Sequence, residues 1–246
     1  MFCKIVIPSH KRHDRVVSKK LVNNPIICVE AKQVDIYKEY NPEHEIVAHP
    51  NDIIGLIPKR NRMVQHFGDL FMIDDDVFYF RKMYIKPNES GVIKSASVIT
   101  NKIFELYELS KALNITLFGF SKNPRPEQYN EFKPFSLSNM ITGCSYGVIK
   151  NENKKWNEDM KVKEDFWISC LTKYYERRIL VDNRFNFSQK DTFKNAGGLS
   201  DIRTHNEELR SMLILKKHFG DTIKLKIGRA KSKLEKKHDV SVFFKF

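Results

Sequence analysis

Residues 70–80 read LFMIDDDVFYF, an apolar segment that runs into three aspartates. The segment predicts a buried strand at 70–80 that runs into Asp74, Asp75 and Asp76. If the strand continues, alternation places Asp74 and Asp76 on one face and Asp75 on the other. Three adjacent anions repel one another and are costly unless a cation or several donors compensate them. The segment therefore predicts a cation-binding site, with a solvated Asp-rich turn as the alternative.

Strands and helices alternate around this segment. Upstream, apolar runs predict strands at 3–7, 26–29 and 45–48 and helices at about 14–22 and 58–67. Downstream, the predicted order is helix 97–112, strand 115–120, a turn-rich loop 121–134, a strand, glycine turn and strand over 136–150, helix 165–178, strand 179–183, and a helix at 201–219 that ends at Gly220. This alternation predicts an α/β fold with a mostly parallel central sheet flanked by helices. Ligands of such sheets bind beyond the carboxyl ends of the strands.

The chain is strongly basic. Its 246 residues include 43 Lys and Arg against 30 Asp and Glu, a net charge of +13. Such a surface attracts polyanions such as nucleic acid, nucleotides or an anionic membrane. Residues 224–246 contain eight basic and two acidic residues, so we expect a basic C-terminal extension over 221–246, with a solvated tail as the alternative to a functional one.

Several classes of protein are excluded by the sequence. No apolar run is long enough to span a membrane, and the first residues lack the pattern of a secretory signal. The four cysteines lie far apart without a CxxC pair, so we expect reduced thiols rather than a disulfide framework. These features predict a cytoplasmic protein, in the host cytoplasm if the source is viral.

Three further motifs carry charge, and two of them lie at predicted helix starts. Lys59–Arg62 opens the helix at 58–67, where the helix dipole disfavours cations, so we expect either a bound phosphate or exposure to water. The polar turn Pro8–Arg12 after the first strand offers a second place for a nucleotide. Glu164 and Asp165 open the helix at 165–178, where they are either simple capping residues or a second acidic site.

The ordered set of motifs resembles a nucleotide-sugar glycosyltransferase with the GT-A fold. The resemblance covers about residues 3–205: IVIPSHKR at the first strand, Glu30 after the second, GLIPKRNRMVQ, FMIDDDV as the DxD element, TGCSYGV on the acceptor side, and KED as the xED element. The short chain and basic surface are most similar to phage enzymes and to the TET/JBP-associated glycosyltransferases, which add sugars to hydroxymethylated DNA bases. The resemblance implies one Rossmann-like domain over 1–220, with a donor-binding half at about 1–80 and an acceptor and catalytic half at about 81–220.

The resemblance also implies roles for individual residues. The nucleotide-sugar site would be formed by Pro8, Ser9, Arg12, Glu30, Arg60, Asn61 and Asp75, with Glu30 near the base and Asp75 near the ribose. A Mn²⁺ or Mg²⁺ ion would be held by Asp74, Asp76 and His205, where an ordinary surface or core histidine is the alternative for His205. Asp165 would be the general base with Glu164 beside it, and Gly143, Cys144 and Ser145 would lie on the acceptor side. Oxygen ligands of this kind suit both ions.

The implied reaction is transfer from a nucleoside-diphosphate sugar, such as a UDP-sugar, to a base hydroxymethyl in double-stranded DNA. One carboxylate opposite the leaving group predicts inversion at the anomeric carbon. Stacking groups for the DNA, or alternatively core aromatics, are Phe132, Phe135, Tyr146 and Trp156. Three alternatives stay open: the same fold acting on a saccharide, lipid or protein with the tail against a membrane, a non-enzymatic nucleic-acid-binding protein, and a two-metal nuclease built on the same carboxylates.

Overall fold

The strands and helices follow the predicted alternation. The structure, a computed structural model, describes residues 3–86, 88–189, 202 and 204–224. The strands are β1 (Lys4–Pro8), β2 (Ile26–Glu30), β3 (Glu45–His49), β4 (Leu70–Ile73), β5 (Val77–Lys82), β6 (Val92–Ile93), β7 (Leu117–Phe120), β8 (Phe135–Ser136), β9 (Ser145–Val148), β10 (Leu180–Asp182) and β11 (Phe185–Gln189). The helices are α1 (Val34–Tyr40), α2 (Leu56–Phe67), α3 (Ala96–Ala112), α4 (Glu164–Glu176) and α5 (His205–Phe219).

The central sheet has eight strands in the order β3-β2-β1-β4-β9-β7-β10-β8. Only β9 and β8 run antiparallel to their neighbours, so six of the eight strands point the same way. A second, antiparallel sheet has the order β11-β5-β6. The predicted α/β fold with a mostly parallel sheet is therefore confirmed, and the carboxyl ends of β1, β2, β4, β7 and β10 meet at one edge.

Strand alternation divides the apolar core between the two faces of the central sheet. In β1, Ile5 and Ile7 join one buried cluster while Val6 joins the other. The first cluster includes residues of α3 and of the small sheet, and the second includes residues of α2, α4 and α5. Helices therefore cover both faces, as the sequence predicts. No helix of the described residues is both long and apolar enough to cross a membrane.

Two local predictions are wrong, and one helix was not predicted. The helix predicted at 14–22 is a single 3₁₀ turn, Val17–Lys20, while α1 was not predicted. The backbone N–H groups of Val17 and Ser18 donate to the carbonyl of Asp75, at 2.9 and 3.4 Å, so a tertiary contact fixes this segment. The apolar strand at 70–80 breaks at the aspartates, which form a turn between β4 and β5 in different sheets. Asp74, Asp75 and Asp76 therefore do not alternate along one strand.

Three further predictions concern the segment 136–150 and the C-terminal part of the chain. The segment 136–150 holds only the short strands β8 at its start and β9 near its end. The helix predicted at 201–219 is α5, and it ends at Gly220 as expected, with φ +59°. Most of the basic extension lies outside the described residues, which end at Lys224.

Candidate active site

The aspartate turn is fixed by its backbone at the edge of the central sheet. The N–H of Asp74 donates to the carbonyl of Cys144 at 2.8 Å, which extends the pairing of β4 with β9 by one residue. Ser145 pairs with Ile73 one step before. The segment with Gly143, Cys144 and Ser145 is therefore placed directly beside the carboxylates. Gly143 has φ +114°, a conformation that strongly favours glycine.

Asp75 points into the protein towards the first βα turn. One carboxylate oxygen accepts from Ser9 Oγ at 2.6 Å, and the other accepts from the Arg12 guanidinium at 2.6 Å. The Ser9 hydroxyl also lies 2.7 Å from the hydroxyl of Tyr37 in α1. Burial raises the pKa of Asp75, while Ser9 and Arg12 act in the opposite direction. Both oxygens of Asp75 therefore already accept a hydrogen bond from within the protein.

Asp76 lies between two elements that are far apart in sequence. Its Oδ1 accepts from Nε2 of Gln189, at the end of β11, and its Oδ2 lies 3.3 Å from the Arg12 guanidinium. The carboxylate keeps 24% exposure, so it can reach a ligand outside the protein. Arg12 therefore forms ion pairs with both Asp75 and Asp76 and offsets part of their charge. Gln189 carried no signal in the sequence, since its role depends on the pairing of β11 with β5.

Arg60 joins the two acidic motifs. Its guanidinium nitrogen Nη2 lies 3.2 Å from Oδ1 of Asp74 and 3.4 Å from Oε1 of Glu164, and its side chain is only 1% exposed. The guanidinium also stacks over the ring of Tyr146, 4.9 Å from its centroid. Although burial alone lowers the pKa of Arg60, the surrounding groups raise it, so the side chain remains charged. DxD and xED, separated by about ninety residues, are thus brought into one site.

The basic start of α2 turns inward rather than towards water. Lys59 is buried, and its ammonium donates to the carbonyl of Ser9 at 2.9 Å. Burial lowers its pKa. Asn61 exchanges two hydrogen bonds with the backbone of Trp156, at 2.9 and 3.0 Å, and donates a third to Glu158. The alternative of simple exposure to water is therefore wrong for Lys59 and Arg60, and Asn61 does not join the carboxylate cluster.

Asp165 lies in the first turn of α4 and contacts the acceptor-side segment. Its Oδ2 accepts from the N–H of Gly143 at 2.9 Å, and its Oδ1 accepts from the N–H of Phe166 at 2.8 Å. Burial and the neighbouring Glu164 raise the pKa of Asp165 to about 6, against the effect of the two donors. A carboxylate with this pKa is ionised at neutral pH and still basic enough to accept a proton. Capping of α4 alone does not explain Asp165, because its Oδ2 accepts a hydrogen bond from Gly143, which lies outside the helix.

The first βα turn and the end of β2 form the other half of the site. Pro8 ends β1, and Glu30 ends β2 as a buried carboxylate. Glu30 lies 3.2 Å from His10 and accepts from Gln33 at 2.9 Å. Although burial raises the pKa of Glu30, its hydrogen-bonding partners lower it further, so Glu30 is ionised. This half therefore offers a negative hydrogen-bond acceptor beside the basic turn at Ser9–Arg12.

The carboxylates outnumber the cations that face them. Asp74, Asp75, Asp76, Glu164 and Asp165 cluster around Arg12 and Arg60. Burial, opposed by Arg60 and reinforced by the other carboxylates, raises the pKa of Asp74 to about 8. A divalent cation would relieve this excess of negative charge.

The oxygen donors present suit Mg²⁺ or Mn²⁺, which commonly use one or two carboxylates with phosphate oxygens and water. No group of three or more His, Cys, Asp or Glu in the described residues could hold a metal alone. Asp74 and Asp76 would therefore have to share the ion with a ligand. The side chain of His205, the third predicted ligand, lies outside the described residues.

Comparisons with known proteins bear on the family and the fold of the chain. Residues 3–198 match the model of the TET-associated glycosyltransferase family. The fold is similar to that of S. aureus TarS 1–349, determined in complex with UDP-GlcNAc, with a TM-score of 0.50 and 9% identity over 88% of this chain and 67% of that chain. A weaker likeness, at a TM-score of 0.37 and 10% identity over 85% and 95% of the two chains, is to the inositol-1-phosphate CTP transferase of T. maritima. No curated protein matches the chain in sequence.

Proposed function

Because the chain belongs to the TET-associated glycosyltransferase family, we propose that it transfers a sugar from a UDP-sugar to the hydroxymethyl group of a base in double-stranded DNA. The family makes the chain a glycosyltransferase, which decides against the non-enzymatic alternative. The observation that carries the proposal is the contact of Arg60 with both Asp74 and Glu164. It unites a diphosphate-side motif and an acceptor-side motif in one site.

Asp165 is the proposed general base. It lies beside Gly143 on the acceptor side, and its raised pKa suits proton removal from a hydroxyl at neutral pH. With one such carboxylate facing the acceptor, the oxygen attacks the anomeric carbon opposite the leaving diphosphate, and inversion follows. Glu164, held by Arg60, is proposed to position this end of α4 and the sugar.

Asp74 and Asp76 are the proposed ligands of a Mn²⁺ or Mg²⁺ ion. Such an ion, when bound, neutralises charge on the leaving diphosphate as a Lewis acid. The chain itself supplies Arg12 and Arg60, which keep Asp74 and Asp76 in place while leaving both partly exposed. Glu30 and the turn at Ser9 are proposed to contact the nucleoside, and the UDP-GlcNAc complex of the similar TarS supports a uridine nucleotide.

The DNA acceptor is supported by charge and by the family. A net charge of +13 supplies phosphate affinity that is independent of sequence. Reaching a hydroxymethyl on a base requires access through the groove or flipping of the base. Tyr146 and Trp156 are buried and cannot stack on DNA, whereas Phe132 and Phe135 are exposed.

The donor site is tested by thermal unfolding with UDP, with and without Mn²⁺, on the wild type and Asp76→Asn. Ligand at about a hundred times its Kd stabilises by roughly 2.7 kcal/mol, a Tm increase of about 5–10 °C for a chain of this size. We expect this shift to need Mn²⁺ and to be lost in Asp76→Asn but kept in the control Asp159→Asn, whose side chain is exposed. Equal shifts with and without Mn²⁺ would contradict the metal assignment, and no shift at all would exclude UDP.

A further inference from the structure

A second cavity opens beyond the carboxyl ends of β7 and β10, apart from the aspartate turn. It has a volume of about 230 Å³, and its lining includes the apolar side chains of Met83, Met140 and Val181. This is smaller than the pockets that enclose a whole small-molecule ligand, about 300–1,000 Å³. The cavity therefore fits one group of a larger ligand, such as a single base, sugar or phosphate.

The cavity is connected to the catalytic carboxylates by a short segment of chain. Met140 lines the cavity, and three residues later the N–H of Gly143 donates to Asp165. Three residues span at most about 11 Å. The same segment is anchored to α4, because Ser169 donates to the carbonyl of Ile141 at 2.7 Å. A ligand group in the cavity thus lies within a few nucleotide steps of the proposed general base, at about 3.4 Å of rise per step.

The rim of the cavity is cationic and rich in amides. Lys122, Arg125 and Lys133 line it, and within the described part of the chain none of the three forms an ion pair with a carboxylate. Arg12 and Arg60, in contrast, each form an ion pair with a carboxylate of the protein. The amide side chains around the rim are Asn123, Gln128, Asn130, Asn139 and Asn183. Cations without counter-charges suit phosphates, and amides suit the edges of bases.

An aromatic side chain projects from the same loop. Phe132 lies between the lining residues Asn130 and Lys133, and it is 86% exposed. At this exposure the ring contributes little to the apolar core and can contact a ligand. Phe135 follows at 37% exposure, with the guanidinium of Arg184 4.5 Å from its ring centroid. Cationic grooves that carry exposed aromatic rings are typical of surfaces that bind unstacked nucleic-acid bases.

We propose that this cavity, with Lys122, Arg125, Lys133 and Phe132 at its rim, holds the acceptor DNA strand next to the base that is glycosylated. The three cations contact phosphates of that strand, and Phe132 stacks on a base displaced beside the reacting one. This inference rests on the proposed function, because it assumes DNA as the acceptor. It adds the place where the strand is held and the residues that hold it.

The test compares two sets of variants for binding to a fluorescently labelled DNA duplex with one hydroxymethylated base. The first set is the triple variant Lys122→Gln/Arg125→Gln/Lys133→Gln, with Lys4→Gln/Lys111→Gln/Lys150→Gln as its control. The control removes the same charge at the opposite edge of the sheet, near the amino ends of β1 and β7. The second set is Phe132→Ala with Tyr174→Ala, another exposed aromatic, as its control.

We expect anisotropy titrations to show a large loss only for the rim variants. The triple variant Lys122→Gln/Arg125→Gln/Lys133→Gln should reduce the magnitude of the slope of log affinity against log salt by about three, roughly one for each phosphate contact. Phe132→Ala should weaken binding about 5- to 150-fold, as for loss of one stacked base. An unchanged UDP-dependent Tm shift confirms that each variant folds and keeps the donor site.

The outcomes separate this inference from the proposed function. Rim variants that bind DNA as their controls do overturn the inference, whether or not the wild type transfers sugar. If the wild type binds DNA through the rim but transfers no sugar to it, the inference holds and the proposed reaction is wrong. A wild type that binds no DNA overturns both.

Discussion

Asp165 combines two backbone hydrogen bonds with a pKa raised to about 6. Proton removal needs the ionised form, and acid protonates it, so we expect kcat/KM for the acceptor to level off about one pH unit above 6 and to fall about tenfold per unit well below it. Initial rates at low acceptor concentration, on both sides of pH 6, measure this dependence. Donor binding, followed as the UDP-dependent Tm shift, is measured in parallel to exclude acid unfolding. A rate that is the same on both sides of pH 6 would sink the assignment.

The same assignment predicts the effect of Asp165→Asn. The amide cannot accept the proton, so kcat should fall by about 10²- to 10⁴-fold, while the UDP-dependent Tm shift stays close to that of the wild type. Asp159→Asn, at an exposed position before α4, serves as the control and should keep full activity. Weakened donor binding with preserved transfer would contradict the role of base.

Asp74 is predicted to reduce stability in the absence of ligands. Its pKa is about 8 in the folded state against an ordinary value of 3.8, so the unfolded chain ionises more easily. The ionised carboxylate therefore destabilises the fold above pH 3.8, and this cost disappears in acid. We expect Asp74→Asn to raise Tm at pH 7 in EDTA, by about 2–4 °C for each kcal/mol relieved.

Ligand should reverse that order. With UDP and Mn²⁺ the wild type gains stability and Asp74→Asn does not. The Tm of the wild type should therefore lie below that of Asp74→Asn without ligand and above it with ligand. Calorimetry with and without ligand checks both halves. A variant that melts below the wild type in EDTA would show that the Arg60–Asp74 ion pair outweighs the cost of the buried charge.

Sequence alone located the carboxylates but not their partners. The Asp triplet and Glu164–Asp165 stand out because adjacent acids at the ends of predicted elements need an explanation. Arg60 was expected to meet a nucleotide or its diphosphate, and the structure buries it between Asp74 and Glu164. That contact joins residues 104 positions apart, and no local pattern encodes it. The assigned roles of these residues remain predictions.

At the scale of elements, long periodic segments were predictable and short ones were not. The helices α2, α3, α4 and α5 each run for 12 residues or more and were all predicted. The helix α1 has only 7 residues, too few for a clear period. The segment around Val17 has helical spacing but contacts the carbonyl of Asp75 instead. A tertiary hydrogen bond therefore overrides local propensity there.

Strand β9 depends on the absence of a side chain at Gly147. A Cβ at this position would overlap the ring of Phe118, which is fully buried in the core. We expect Gly147→Ala to destabilise the fold by about 1–3 kcal/mol, a Tm decrease of roughly 2–12 °C. Gly119→Ala, on the neighbouring strand β7, is the matched control, because its Cβ would come no closer than 3.2 Å to Ile141. Equal Tm values for the two variants would mean that the Phe118 ring can move aside.

The whole molecule places its chemistry along one edge of the central sheet. Alternating strands and helices predicted that edge, since the carboxyl ends of parallel strands coincide. The small sheet was not predicted, because its strands β5 and β11 begin 108 residues apart, at Val77 and Phe185. No local pattern in the sequence shows that they pair. It brings Gln189 to Asp76 and Met83 to the second cavity. The fold thus follows from sequence periodicity, whereas the site depends on long-range pairing.

The net charge of +13 makes a prediction at this largest scale. Residues 225–246 contain seven basic and two acidic residues, so a chain that ends at Lys224 loses five positive charges. If the extension contacts DNA phosphates, this truncation should reduce the slope of log affinity against log salt by at least about one. It should leave the UDP-dependent Tm shift unchanged, because the proposed donor residues precede 225.

Anisotropy titrations of a hydroxymethylated duplex over a range of salt concentrations measure this slope, and sedimentation with anionic vesicles measures the lipid alternative. An unchanged slope would assign DNA binding to residues 1–224 alone. Loss of vesicle binding with an unchanged slope would instead favour a membrane-associated acceptor, since a polybasic segment contributes about 1 kcal/mol per Lys or Arg at such a surface. The truncation therefore separates the two acceptor classes that charge alone leaves open.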